Sequence, residues 1–160
     1  MDEVCRRFRT PRALAFYMSV SFRYIHDFDA HGVEEHWKLP HETLTDGFGD
    51  CEDYSLFAWH VLRQNGYDVR LFAAFTDDQG HAVCLFVERG AVHSICNEGI
   101  RRDIAPEATW SSEDDLARSA AARIFRTEWS SCSFVTQLTV AEETSGRYLP
   151  RYEWIHRAGT

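Results

Sequence analysis

The stretch Gly47-Phe48-Gly49-Asp50-Cys51-Glu52-Asp53-Tyr54 turns a glycine-rich loop into a helix, and the rest of the chain must be built around it. Asp50 is a good N-cap, and Asp53 three residues later supplies a carboxylate able to bond back, as in a capping box. Leu56, Phe57, Val61 and Leu62 recur at helical spacing, and Gly66 supplies the stop. Such a helix must bury one face, and it carries Cys51 in its first turn. There the unsatisfied N–H groups and the positive end of the macrodipole favour a thiolate. Asp50, Glu52 and Asp53 oppose that ionisation, so a reactive Cys51 needs a cationic partner from elsewhere in the chain.

At 160 residues, 44% of them hydrophobic and 14% aromatic, the chain supports one globular domain over residues 1–160. A formal net charge of −8 argues against a nucleic-acid binder and against a polybasic membrane anchor. No apolar run reaches the length of a membrane span. The segment Met1-Asp2-Glu3-Val4-Cys5-Arg6-Arg7 lacks the apolar core of a signal peptide. Taken literally, this places the protein in the cytoplasm, although a trimmed secreted or periplasmic chain would read the same. Cys5, Cys51, Cys84, Cys96 and Cys132 form no C-x-x-C pair, and their odd number suits reduced thiols better than a disulfide framework.

Along the chain, Thr10-Pro11 is a cap followed by proline, and Leu14, Tyr17, Val20, Tyr24 and Phe28 predict a helix from Pro11 to about Asp27. A histidine-rich connection from His26 to His41 follows, with a short helical turn at Pro40–Leu44. After the Cys51 helix the pattern changes to strands: Asp68–Phe75, then His81–Glu88 and Ala91–Asn97 around a turn at Arg89-Gly90. Thr76 to Gly80 reads as a turn and Glu98–Trp110 as a loop. Ser112 with Asp115 opens a further helix bearing Leu116, Ala120 and Ile124. Ser133–Val140 and Arg147–Ile155 are the last strands. Helices first and an antiparallel sheet after them make an α+β layout.

His81 opens the first strand of the predicted hairpin. A turn centred on Arg89 sets it opposite Asn97, whose carboxamide would orient the imidazole; a shift of one residue substitutes Cys96 or Glu98. A helix-terminal Cys, a strand His and an Asn or Asp beside it are the nucleophile, base and orienter of thiol acyl transfer.

Trp37-Lys38-Leu39-Pro40-His41-Glu42-Thr43-Leu44, then Gly49-Asp50-Cys51-Glu52-Asp53-Tyr54, then Gly80-His81-Ala82-Val83-Cys84 resemble the transglutaminase-like superfamily, and within it the bacterial transglutaminase-like cysteine proteases. The likeness runs from about Tyr24 to Asn97. It implies a papain-like α+β core, with N-terminal helices carrying the catalytic Cys at a helix N-terminus, packed on an antiparallel sheet. It further implies Cys51 as nucleophile, His81 as general base, and a third residue ending the next strand. Members often end that strand in Leu-Asp-Asn. This chain has Ile95-Cys96-Asn97, so Cys96 takes the aspartate position and Asn97 becomes the expected orienter. The oxyanion hole would use the Cys51 N–H and a side-chain donor, for which Trp37 is the candidate; its ordinary alternative is a core plug beside Pro40.

The expected activity is acyl transfer on a peptide or amide through a Cys51 thioester. Water as acceptor gives a protease or amidohydrolase, and a lysine-type amine gives a crosslinking transglutaminase. The rival is a binding module that keeps the fold without activity. The implied partner is a protein or peptide substrate, with no nucleic acid or membrane. No cofactor is required, but the resemblance offers calcium at Asp50 and Glu52, since some relatives use carboxylates flanking the cysteine. Helix capping is the preferred role of Asp50 and Asp53. His26, His31, His36 and His41 recur at an interval that converges on neither a helix nor a strand face, so a solvated loop is preferred to a zinc or nickel site.

Overall fold

The computed structural model describes residues 1–32, 36–75, 80–124, 134–142 and 148–157. Thr10 accepts a hydrogen bond from the Ala13 N–H at 3.3 Å and starts α2 (Pro11–Ser21), which follows a short unpredicted α1 (Asp2–Arg7). The helix stops at Ser21, short of the predicted Asp27. Phe22 turns extended, and β1 (Arg23–Tyr24) follows, then α3 (Asp27–His31). The apolar stripe that suggested one long helix therefore continues across a helix, a strand and a second helix. Spacing alone does not distinguish these when each element is short.

The glycine loop is set between α4 (Pro40–Asp46) and α5 (Cys51–Gln64), with β2 (Phe48–Gly49) between them. β1 and β2 form a two-stranded parallel sheet, Arg23 opposite Phe48 and Tyr24 opposite Gly49. The larger sheet is antiparallel. It contains β3 (Val69–Phe75), β4 (Gly80–Glu88), β5 (Ala91–Cys96), β6 (Gly99–Pro106), β7 (Phe134–Glu142) and β8 (Tyr148–Arg157), in the order β6-β5-β4-β3-β7-β8. Both tail strands match their prediction. The predicted loop Glu98–Trp110 is instead β6 followed by a 3₁₀ turn, Glu107–Ser111. Arg101, Arg102 and Asp103 interrupt its apolar alternation, yet Gly99, Ile100, Arg101, Ala105 and Pro106 pair with β5 around an irregularity. Ser112 caps α6 (Glu113–Arg123) by accepting from the Asp115 N–H. The predicted turn residues Thr76 to Gln79 lie outside the described residues.

Strand alternation divides the interior into two cores. Leu71, Ala73, Ala82, Cys84, Phe86 and Ile95 meet Leu56, Phe57, Ala58, Val61 and Leu62 of α5. On the opposite face Phe72, Val83, Leu85, Val92 and Cys96 meet Leu116, Ala117 and Ala120 of α6. Covering both faces explains the near-continuous apolar run Ala82–Val87, since neither set of side chains faces water. Burying each large side chain contributes about 1.5–3 kcal/mol, so α5 is held to the sheet chiefly by its own apolar face.

Candidate active site

Pairing between β1 and β2 fixes the loop ahead of α5: the Arg23 N–H donates to the Gly47 carbonyl at 2.9 Å, and the Ile25 N–H to Gly49 at 3.0 Å. Asp50 is still extended, and Cys51 is the first helical residue. One turn later the Ser55 hydroxyl lies between the carbonyls of Cys51, at 2.6 Å, and Ala82, at 3.0 Å. The start of α5 is thereby fastened to β4 at the residue next to His81.

Cys51 is partly exposed, and its thiol donates to Glu52 Oε2 at 3.2 Å. Burial pushes the thiol well above its ordinary range. The Glu52 charge adds to this, and the Ala82 N–H pulls the other way. His81 is lowered, first by burial and then by the nearby Arg101, while Glu98 acts in the opposite sense. These shifts favour a neutral thiol and a neutral imidazole.

Three buried carboxylates gather here. Asp27, Asp50 and Glu52 each offer an oxygen, all within 4.8 Å of one another. Burial and a hydrogen bond to Asp50 raise Glu52 to about 9, and burial raises Asp27. Asp27 accepts a short hydrogen bond from the His36 N–H. Asp50 Oδ1 is buried without a hydrogen-bond partner. The predicted capping box is not formed: Asp50 occupies the N-cap position, but its side chain accepts no helix N–H. Asp53 instead accepts from the Lys38 N–H at 2.8 Å. Of the two carboxylates that local sequence assigns to capping, Asp53 is drawn to a partner distant in the chain.

Lys38, only 2% exposed, completes the support. Its Nζ donates to the Phe48 carbonyl at 3.1 Å, pairs with Asp46 at 3.1 Å and stands 3.5 Å from the centre of the Phe48 ring. Gly49 lets these parts meet, because a Cβ there would fall 2.4 Å from Asp53 Oδ2 and 2.6 Å from Asp53 Cβ. Gly49→Ala is therefore expected to destabilise the fold by at least about 1–3 kcal/mol, read as a lower midpoint in urea with unchanged slope.

The β4–β5 register differs from the expected one. Arg89 and Gly90 both have positive φ, 55° and 79°, and make a two-residue turn that pairs Glu88 with Ala91 and Cys84 with Ile95. Continued along the strands, this sets Asn97 level with Ala82, and Glu98 rather than Asn97 level with His81. Asn97 and Glu98 form the turn between the paired residues Cys96 and Gly99. Asn97 Oδ1 is buried without a hydrogen-bond partner among the described residues. Glu98 is exposed and ion-paired with Arg101. Cys96 is buried in the α6-side core, where burial pushes its thiol to about 11.

Trp37 packs against the α5-side core. His26, His31, His36 and His41 are all exposed, and among the described residues none joins a cluster suited to a metal; the His31 and His36 rings lie 4.4 Å apart. Cys5, Cys51, Cys84 and Cys96 are free thiols, and Cys132 lies outside the described residues. Asp27, Lys38 and Ser55 are site residues that sequence reasoning missed. Ser55 lies one helical turn from Cys51, a spacing that suggests back-bonding; nothing local marks the other two.

A helix whose first residue is a cysteine is fastened, through Ser55, to the strand residue after His81, on an α+β core. The chain belongs to the bacterial transglutaminase-like cysteine proteinase family (BTLCP), whose sequence profile matches residues 9–92. No curated protein matches the chain. Among solved structures, calcium-bound LapG of Legionella pneumophila is similar at 23% identity and a TM-score of 0.47, over 57% of this chain and 55% of that one. Its EGTA-treated form gives 24%, 0.47, 57% and 54%. A cysteine protease candidate from Cytophaga hutchinsonii gives 11% identity and a TM-score of 0.48, over 99% of this chain and 53% of that one. The chain thus spans about half the length of these structures.

Proposed function

We propose that this protein hydrolyses peptide bonds in protein substrates through a Cys51 thioester, with His81 as general base and Asn97 as its orienting residue. The observation that carries this reading is the fastening of the α5 start to Ala82, where the Ser55 hydroxyl bridges the two backbones. His81 takes the thiol proton as sulfur attacks the scissile carbonyl. The same proton leaves with the amine, giving the thioester. Water, deprotonated by His81, then releases the acid and restores the thiol. The Cys51 N–H, in the first turn where helix N–H groups lack intrahelical acceptors, is the backbone donor for the developing oxyanion. Asn97 brings a buried amide oxygen that makes no other hydrogen bond, a suitable acceptor for an imidazole N–H.

Calcium belongs to the same reading. Asp27, Asp50 and Glu52 fit it by their chemistry, being three buried carboxylates of which Asp50 Oδ1 has no hydrogen-bond partner among the described residues. When bound, the ion would supply positive charge that offsets these carboxylates. Asp27 is an addition to the pair read from sequence.

His81→Ala is expected to lower kcat for a peptide amide by about 10²–10⁴-fold. Asn97→Ala should cost about tenfold to a hundredfold, with activity recovered in Asn97→Asp. Equal activity of Asn97→Ala and the native chain would remove Asn97 from the mechanism. Parallel assays with a lysine-type amine separate hydrolysis from transamidation.

A further inference from the structure

We propose that the outer edge of β1, at Tyr24, is the docking edge for the substrate peptide, which adds to it as an extended strand. The inference rests on the Cys51 reading and names where its substrate is held. In the parallel pair, the N–H groups of Arg23 and Ile25 point to β2. The intervening Tyr24 therefore turns its N–H and carbonyl the other way. Among the described residues β2 is the only strand paired with β1, so no described strand occupies that edge. An open edge is a template for main-chain pairing, and peptide recognition often uses it.

Tyr24 itself lies near the thiol. Tyr24 is opposite Gly49, two residues before Cys51. Strand spacing and chain geometry place their Cα atoms no more than about 12 Å apart, roughly the reach of three or four extended residues. The Tyr24 ring belongs to the same neighbourhood: burial raises its phenol first, and the charges of Cys51, Asp50 and Glu52 raise it further. Tyr24 is nonetheless 42% exposed. Phe16 and Val20, one turn apart on α2, are 68% and 65% exposed, and Phe28 on α3 is 68% exposed. Exposed large apolar residues on the elements that flank an open edge suit a peptide with apolar side chains, since alternate residues of an added strand need surface to pack on.

Inactivation kinetics test this. The probe is an N-acetylated apolar tetrapeptide chloromethyl ketone. It is compared with its analogue N-methylated at the second and third residues, and with iodoacetamide, which needs no docking. Tyr24→Pro removes the outward N–H while sparing both bonds to β2; Tyr24→Ala keeps that N–H and removes the ring. The native chain is expected to show saturable labelling of Cys51 by the peptide probe. N-methylation, or Tyr24→Pro, should weaken that saturation about threefold to tenfold, as loss of one or two hydrogen bonds does, and by more than Tyr24→Ala. Iodoacetamide labelling should be unchanged. If Cys51 reacts with iodoacetamide but N-methylation of the probe changes nothing, the docking edge is overturned and the cysteine reading stands. That comparison needs no variant, so misfolding of Tyr24→Pro cannot obscure it. If Cys51 resists all three reagents, both readings fall. A dimer that dissociates in Tyr24→Pro on gel filtration would also overturn the proposal, since a second copy would then occupy the edge.

Discussion

Replacing Cys51 with alanine is expected to lower peptide hydrolysis by at least about 10⁴-fold while the melting temperature stays within about 2 °C of the native value. The large kinetic effect follows from chemistry: alanine leaves no sulfur to form the acyl intermediate, and the nearby Ser55 hydroxyl is engaged with the carbonyls of Cys51 and Ala82. Cys84 and Cys96 are buried in the two cores, and burial raises both thiols, the latter to about 11. The small stability effect follows from structure. Cys51 is only partly buried, and the contacts fastening α5 to β4 run through the Ser55 hydroxyl and backbone carbonyls, which alanine retains. Assays with a fluorogenic peptide, alongside circular dichroism melts, check both halves. Native-level turnover by Cys51→Ala would reject the thioester mechanism.

The second large effect concerns pH and calcium. In the metal-free protein, Glu52 is raised to about 9 and Asp53 to about 7, each chiefly by burial. Raised carboxyl groups make the folded state bind protons more tightly than the unfolded chain. Their contribution to stability is complete below about pH 4, the ordinary carboxyl range, and is lost as pH rises toward 7 and then 9. Melts in EGTA are therefore expected to show a falling midpoint between pH 5 and pH 9. Calcium should reverse the trend, because it binds the ionised carboxylates and its stabilisation grows as they lose protons. At a hundredfold excess over its dissociation constant, a ligand contributes about 2.7 kcal/mol, or roughly 5–11 °C for a domain of this size. Asp27→Asn should remove most of the calcium-dependent rise. An EGTA midpoint independent of pH would contradict the burial of these groups, and equal midpoints with and without calcium would dismiss the ion.

Much of this architecture was legible locally. Thr10-Pro11 and Ser112 marked helix starts, Gly49-Asp50-Cys51 placed the thiol in a first helical turn, and the two-residue turn at Arg89-Gly90 joined two strands. Each signal acts over at most a few residues, through a cap, a turn or a side-chain period. The register was not equally legible. A turn centred on Arg89 and one spanning Arg89-Gly90 differ by one residue, and that residue decides whether Asn97 or Glu98 is level with His81. Only the positive φ at both turn positions resolves it.

The cysteine block by itself therefore determined where the thiol sits, because the helix start that carries it is marked by its neighbours in sequence. Tertiary structure alone decided what surrounds the thiol. Asp27 joins Asp50 and Glu52 because parallel pairing of β1 with β2 joins segments remote in the chain, and Asp53 turns from capping its own helix to hold the Lys38 N–H. A buried carboxylate is satisfied by whichever partner the fold brings within about 3 Å, and sequence neighbours do not specify that partner.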